Sequence, residues 1–180
     1  MVTLSGNSKK TNEKVRFKLK LDQEAIKNFI PHREPFLFLD SIDSIELSNW
    51  KFGTKVNDPK DALGGLVTGK FYVDEKLDMF KGHFPGKPIF PGVIQVEAMA
   101  QCSSFVMSFF IDQPIDQYQV DVALARVEDC RFRKPVLPNT ELTIRAKVVK
   151  YRNPIIITQC DIHCGDELVS EARISASIKL

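Results

Sequence analysis

The chain has 180 residues, of which 43% are hydrophobic and 27% are charged, and its formal net charge is +2. This length allows one globular domain with a substantial core and is too short for two comfortable domains. A net charge this small argues against a protein that binds nucleic acid through its overall field, so any basic patch has to be local.

Residues 1–22 are predicted to form a basic, poorly ordered N-terminal arm, followed by a single domain over residues 23–180. Polar residues separate the basic side chains of the arm, which are Lys9, Lys10, Lys14, Arg16, Lys18 and Lys20. A cleaved organelle-targeting peptide is the alternative, although such peptides favour Arg over Lys. The arm lacks the interleaved aromatic residues of a nucleic-acid module, so no nucleic-acid partner is predicted.

The first predicted elements are a short helix and two strands. Asp22 is a suitable N-cap for a helix over residues 23–29, which a following proline must end. A strand is expected to begin at residues 36–39, and the sheet is expected to resume at residues 67–73. Between them, residues 50–65 mix Gly, Asn and Pro with charged residues, which indicates an exposed excursion rather than core.

A long apolar helix is predicted to open at Pro91-Gly92 and to continue to Phe110, since proline suits the first turn of a helix. Glu97 is its only charged side chain. A membrane span of about 20 apolar residues is the alternative. Polar residues interrupt the run, and neither end has the anchors of a membrane boundary, so a buried helix without membrane insertion is favoured.

Strand-like runs follow at residues 122–133, 141–151, 155–164 and 168–180. Turn signals separate these four runs, which predicts that they join as hairpins. The last run alternates apolar and polar residues, so one face of the sheet is expected to contact solvent. The predicted fold class is therefore α+β, with the long apolar helix wrapped by an antiparallel β-sheet.

The cysteines lack CxxC spacing; they are Cys102, Cys130, Cys160 and Cys164. With no secretory segment before them, they favour a reducing, cytoplasmic location. Residues 160–164 also contain Asp161 and His163, but in a strand His163 points away from the face that carries both cysteines. No metal and no cofactor are predicted.

Residues 82–101 bring one histidine, a proline-rich turn and one carboxylate into a short segment, GHFPGKPIFPGVIQVEAMAQ. A lone carboxylate among Val, Ile, Ala and Met is costly to bury unless it has a partner or a purpose. His83 and Glu97 are therefore the candidate catalytic residues, with Glu97 as a candidate acid.

Three motifs in collinear order resemble FabZ-type 3-hydroxyacyl-[acyl-carrier-protein] dehydratases of fatty acid biosynthesis. They are Pro31-His32-Arg33 with the Pro-Phe-Leu and Asp that follow, residues 82–101, and residues 131–138. The resemblance implies a hot-dog fold and dehydration of (3R)-3-hydroxyacyl-[acyl-carrier-protein] to the trans-2-enoyl product. It also implies acyl carrier protein as partner and a homodimer, or a trimer of dimers, in which His83 of one protomer and Glu97 of its mate share a site.

The implied reaction gives each site residue a role. His83, as a neutral imidazole, is the base that removes the α-proton. The backbone N–H groups of Gly92 and Phe84 are expected to stabilise charge on the thioester oxygen, Gly92 from the positive end of the helix. Desolvation is expected to keep a proton on Glu97 for the departing hydroxyl, and Gln101, one turn further on, is expected to orient Glu97.

Two further groups are expected to contact the substrate. An acyl tunnel needs large apolar side chains, and the candidates are Phe90, Phe80 and Phe105. An acidic carrier protein needs a basic docking surface, and the candidates are Arg131, Arg133 and Lys134. The alternatives for these groups are ordinary core packing and a merely solvated face.

Other functions remain open on the sequence alone. A dehydratase-isomerase or a thioesterase could use the same fold, because fold does not fix reaction; in the family, Glu at position 97 favours dehydration without isomerisation. A non-catalytic subunit that binds acyl chains or carrier protein is the second alternative, although it would need neither His83 nor Glu97. His32 and Arg33 are interpreted as a structural anchor of their loop, with a role in the site as the alternative.

Overall fold

The computed structural model describes residues 3–5 and 18–178. Its helices are α1 (Gln23–Phe29) and α2 (Gly92–Ser104). Its strands are β1 (Thr3–Ser5), β2 (Lys18–Lys20), β3 (Ser41–Glu46), β4 (Leu66–Val73), β5 (Val122–Phe132), β6 (Thr140–Arg152), β7 (Ile155–Cys164) and β8 (Glu167–Ile178). The predicted short helix, its Asp22 cap and the four late strands are confirmed to within two residues at each end.

Strands β3 to β8 form one antiparallel sheet in the order β3-β4-β6-β7-β8-β5. Tight hairpins join β6 to β7 and β7 to β8, as the turn signals predicted. The hairpin expected between β5 and β6 was wrong, because β5 pairs with β8 at the edge of the sheet instead. Strand β5 pairs only with β8 among the described strands and forms one edge of the sheet. Helix α2 lies against the inner face of this sheet, so the molecule has the predicted α+β architecture of a hot-dog fold.

Helix α2 is held by apolar contacts with the sheet. Its Ala98, Met99 and Cys102 are completely buried, as are alternate residues of β6 such as Leu142 and Ile144. The Cys102 thiol donates to the Ile144 carbonyl at 3.6 Å. Burying each large apolar side chain contributes about 1.5–3 kcal/mol, so this contact fixes the position of the helix firmly.

The helical segment extends beyond α2, because a 3-10 helix over Phe105–Phe109 follows directly. The segment therefore ends where the sequence predicted. Pro91 is the N-cap with extended backbone, not a residue of the first turn, so the start is shifted by one position. Within the described residues no helix is long and apolar enough to cross a membrane.

Residues 36–39 are not part of a strand, and that prediction was wrong. The sheet begins at Ser41, the first residue of β3. Phe38 and Leu39 are buried, and the Phe38 N–H donates to the Gln101 side chain of α2 at 2.8 Å. Because a helix side chain satisfies this backbone group, the apolar run packs as irregular structure.

Residues 50–65 form the predicted excursion between two strands and most of them are exposed, but the expectation that none belongs to the core was wrong. Trp50 is buried and its ring lies 5.0 Å from the Phe109 ring, centroid to centroid. The Val56 N–H donates to the Phe109 carbonyl at 2.8 Å, and Ala62 is completely buried. The segment covers the C-terminal end of the long helical segment.

The boundary of the predicted N-terminal arm also needs revision. Lys18–Lys20 form β2, and the next residue, Leu21, is completely buried. Leu21 and Ile42 exchange two backbone hydrogen bonds of 2.9 and 3.0 Å. The folded domain therefore begins before residue 22, and residues 6–17 of the arm lie outside the described residues.

Candidate active site

His83 is held in one orientation by the loop that follows it. Its Nδ1 lies 2.8 Å from the Ile89 carbonyl oxygen, and its backbone bonds to Met79 and Ile89. A carbonyl oxygen can only accept, so Nδ1 carries the hydrogen and Nε2 of the neutral ring has a free lone pair. The Phe84 ring stacks on the imidazole at 4.0 Å. His83 is therefore arranged to act as a base through Nε2.

Glu97 lies on the partly exposed side of α2, and two donors meet at one of its oxygens. Gln101 Nε2 donates to Oε1 at 2.9 Å, and His32 Nε2 lies 3.2 Å from the same oxygen. The His32 hydrogen bond lowers the pKa of Glu97, with help from Gln101, and outweighs burial, which acts to raise it. The expectation that desolvation keeps a proton on Glu97 is therefore wrong in direction.

Gln101 is a buried connector between α2 and the segment before β3. Its Oε1 accepts from the Phe38 N–H at 2.8 Å, while its Nε2 donates to the Phe36 carbonyl at 2.9 Å. The predicted bond to Glu97 is present. Its role in the reaction remains a prediction.

His32 is the site residue that sequence reasoning missed. Arg33 behaves as the anchor that was expected, since its Nη1 donates to the carbonyls of Ile30 at 3.1 Å and His32 at 2.7 Å. The imidazole of His32, however, turns towards Glu97. The contact between His32 and Glu97 joins residues far apart in sequence, so the sequence pattern does not reveal it. The signal that the sequence offered was an ionisable side chain within a motif that matches the family.

His83 and Glu97 do not meet within one protomer. Across the described ranges, no hydrogen bond or ion pair joins them. The side of α2 that carries Glu97 also exposes Val93, whose relative exposure is 74%. The described protomer therefore does not join these two side chains, and the shared site that the resemblance implied remains a prediction.

The two backbone N–H groups predicted to stabilise the thioester oxygen, those of Phe84 and Gly92, differ in whether they already have an acceptor. The Phe84 N–H already donates to the Lys87 carbonyl within its turn, at 3.3 Å. No side chain caps α2, and in the described part of the chain the Gly92 N–H has no acceptor. A Cβ added at Gly92 would come 2.8 Å from the Phe132 ring, so glycine allows close packing at this amide. Gly92 is the freer donor.

The predicted tunnel residues are not gathered around one cavity. Phe90 is completely buried and packs on Phe71 at 5.9 Å, whereas Phe105 packs on Phe29 at 4.7 Å. Phe80 instead lines a surface cleft of about 470 Å³, which the Phe84 ring also lines. In one protomer, Phe90 and Phe105 are core residues, and the tunnel remains a prediction.

The predicted docking cations are paired with acids of β8. Arg131 lies 4.0 Å from Glu171, which also pairs with Arg133, and Lys134 pairs with Glu167. Exposed ion pairs of this kind contribute little stability, but they reduce the local positive field. Three cations against two carboxylates still leave this surface net positive.

The segment 160–164 has the strand geometry that the sequence predicted. Cys160 is completely buried, while Asp161 contacts His163 at 3.0 Å and Arg145 at 2.6 Å. Burial raises the pKa of the Cys160 thiol to about 12, so it is not a ready metal ligand. In the part of the chain that the structure describes, no cluster of three His, Cys, Asp or Glu residues could hold a metal ion.

Comparison with known proteins identifies the family of the chain. The FabA-like domain family matches residues 30–173. A 3-hydroxyacyl-[acyl-carrier-protein] dehydratase FabZ of Psychrobacter arcticus is 33% identical over 154 residues, covering 86% of this chain and 94% of that protein. A FabZ of Desulforamulus reducens is 34% identical over 159 residues, covering 88% of this chain and 97% of that protein.

Solved structures show the same fold at low sequence identity. The dehydratase heterocomplex ApeI:P from Xenorhabdus doucetiae has a TM-score of 0.58 and 14% identity, covering 86% of this chain and 91% of that chain. This likeness concerns the fold alone. The sequence matches go further, and they show that the chain belongs to the FabA-like family, in which its curated relatives are FabZ dehydratases.

Proposed function

We propose that the chain dehydrates (3R)-3-hydroxyacyl-[acyl-carrier-protein] to the trans-2-enoyl thioester in fatty acid biosynthesis, as a homodimer whose protomers share each active site. The observation that carries this proposal is that, among the described residues, neither His83 Nε2 nor Oε2 of Glu97 has a hydrogen-bond partner, so both are available to a substrate. Both residues lie in the segment 82–101, on which the resemblance to FabZ dehydratases rests. The reaction needs no cofactor.

The elimination can be balanced with these groups. His83 Nε2 takes the α-proton, and the electrons move to the thioester oxygen, where the Gly92 N–H stabilises the charge. The returning electrons form the double bond and expel the C3 hydroxyl. That hydroxyl takes the proton from the His83 imidazolium and leaves as water, which restores the neutral base.

Glu97 contributes to this scheme as a carboxylate, because its pKa is lowered. In this form it accepts a hydrogen bond from the C3 hydroxyl and orients the C–O bond for cleavage. This role replaces the proton donor expected from the sequence. It needs no change in the protonation of Glu97 during turnover.

A shared site is supported by two exposed surfaces that adjoin the catalytic residues. Strand β5 is an edge strand that leaves Leu124 and Phe132 about half exposed, at 53% and 52%. Val93 adds apolar surface at the start of α2. An unpaired edge beside exposed apolar side chains favours pairing with a second copy of the chain. Such a dimer would bring Glu97 towards the partner's His83; a trimer of dimers is a further possibility for assembly.

Acyl carrier protein is the proposed partner, docking on the surface of Arg131, Arg133 and Lys134. Its acidic surface would compete with Glu167 and Glu171 for these cations. The acyl chain would enter between protomers, with Phe80, Phe90 and Phe105 as the tunnel candidates. Replacing the three cations by Gln should raise KM for carrier-protein substrates and leave KM for small thioesters unchanged.

The deciding experiment measures turnover of 3-hydroxyacyl-[acyl-carrier-protein] by the wild type, His83→Ala, Glu97→Gln and a mixture of the two variants after subunit exchange. Both variants should be inactive, and the mixture should regain part of the activity. Product analysis separates a dehydratase from an isomerase or a thioesterase. Inactivity of the wild type on every chain length would favour a non-catalytic subunit instead.

A further inference from the structure

We propose that His32 is a positioning residue that, together with Gln101, holds Oε1 of Glu97 and leaves Oε2 as the oxygen that faces the substrate. The assignment builds on the proposed dehydratase function but is defined by contacts within one protomer. It concerns a residue for which the sequence motif favoured a structural role.

The geometry at Glu97 is asymmetric. Both donors, Gln101 Nε2 at 2.9 Å and His32 Nε2 at 3.2 Å, contact Oε1. For Oε2, no hydrogen bond is found among residues 3–5 and 18–178. One carboxylate oxygen is therefore fixed to the protein, and the other is free to accept from a ligand.

The two donors come from separate parts of the fold. Gln101 is on α2 itself, whereas His32 follows α1 and is held from behind by Arg33, whose Nη1 donates to the His32 carbonyl at 2.7 Å. A carboxylate fixed from two directions loses rotamer freedom. This restriction keeps Oε2 in place before the substrate arrives, which is how positioning lowers a barrier.

The hydrogen-bonding pattern indicates which nitrogen of His32 donates. Nε2 faces the carboxylate, while Nδ1 is buried and has no partner in the described structure. A hydrogen on Nδ1 would be a buried donor without an acceptor, which costs about 1–3 kcal/mol. The tautomer with its hydrogen on Nε2 fits the site, and it supports the carboxylate form of Glu97.

The groups that act on the Glu97 carboxyl are few. Within the protomer they are His32, from the segment after α1, and Gln101, on α2. In the proposed dimer the partner's His83 would join them. Removing the His32 donor should therefore change the titration midpoint of Glu97 directly.

The test compares His32→Gln with His32→Asn in the full-length assembled protein. The Gln amide can reach the position of Nε2, whereas the Asn amide is one methylene shorter and cannot. Glu97 is followed by carbon-13 NMR of labelled glutamate carboxyls, with Glu97→Gln to assign its signal. The outer-sheet histidine, in His163→Gln, is the matched control.

We expect the Glu97 titration midpoint to rise in His32→Asn and to stay near the wild-type value in His32→Gln and His163→Gln. In His32→Asn, kcat should fall about tenfold or more, because one hydrogen bond to a charged group is lost. In His32→Gln, kcat should recover, and KM should change little in either variant. Equal midpoints in Asn and wild type would overturn the assignment.

The NMR readout does not depend on turnover. If the wild type failed to dehydrate any thioester but the His32 variants still shifted the Glu97 midpoint, the contact would stand and the proposed function would fall. If turnover were normal in all three His32 forms, the positioning role would be wrong while the dehydratase function survived.

Discussion

Gln101 makes three hydrogen bonds at the junction of α2 and the segment before β3, and Gln101→Met removes all of them at similar volume. The Phe38 N–H is buried and would lose its acceptor. An unpaired buried group of this kind costs about 1–3 kcal/mol. The Phe36 carbonyl is less buried, so water can replace its bond. We expect the free energy of unfolding to fall by about 1–3 kcal/mol.

Denaturant unfolding followed by circular dichroism measures this loss, and Gln95→Met is the matched control. Gln95 is also a buried amide of α2, but its Oε1 has no partner and its Nε2 makes one 3.3 Å bond to the Phe90 carbonyl. Removing an acceptor that is already unpaired should cost less than about 1 kcal/mol. Equal losses in the two variants would refute the hydrogen-bond reasoning, since both replace a buried amide by methionine.

Three other outcomes are expected. Gly92→Ala would meet the outer end of the half-exposed Phe132 ring, which can move, so turnover should fall several-fold while the melting temperature changes little; a large loss of stability would contradict this. Trp50→Ala should cost about 3–5 kcal/mol in chemical denaturation, because the side chain is buried against Phe109, and a cost below about 1 kcal/mol would mean that the segment is not core. The lowered pKa of Glu97 adds stability above the unfolded value of about 4.3 that is lost as pH falls through the folded value, so the free energy of unfolding should depend less on pH in Glu97→Gln, with its deficit from the wild type largest at neutral pH and shrinking in acid; the same pH dependence in both proteins would argue against the shift.

Elements that depend on local pattern were predictable from the sequence. The Asp22 side chain caps α1 by accepting from the Ala25 N–H at 3.0 Å, as a residue of its type should. The late strands follow from alternation and from the turn residues between them. In these cases the residues that decide the structure are neighbours in the chain.

Elements that depend on distant contacts were not predictable in this way. Residues 36–39 have strand composition, but Phe38 bonds to a side chain of α2 instead of a strand. Trp50 lies in a polar segment, yet Phe109 gives it a place in the core. In both cases a residue of the long helical segment is the contact partner, and the residues adjacent in sequence do not indicate that contact.

The difference between local pattern and distant contact also applies to the candidate site. Isolation among apolar residues singled out Glu97 as a candidate site residue, but burial alone predicts a raised pKa. The contact with His32 reverses that direction, and it exists because the fold brings the segment after α1 beside α2. Likewise, His83 and Glu97 lie close in sequence but make no hydrogen bond or ion pair in the described protomer. A motif therefore proposes candidate groups, whereas the fold decides which contacts set the pKa of Glu97 and whether the two groups meet within one protomer.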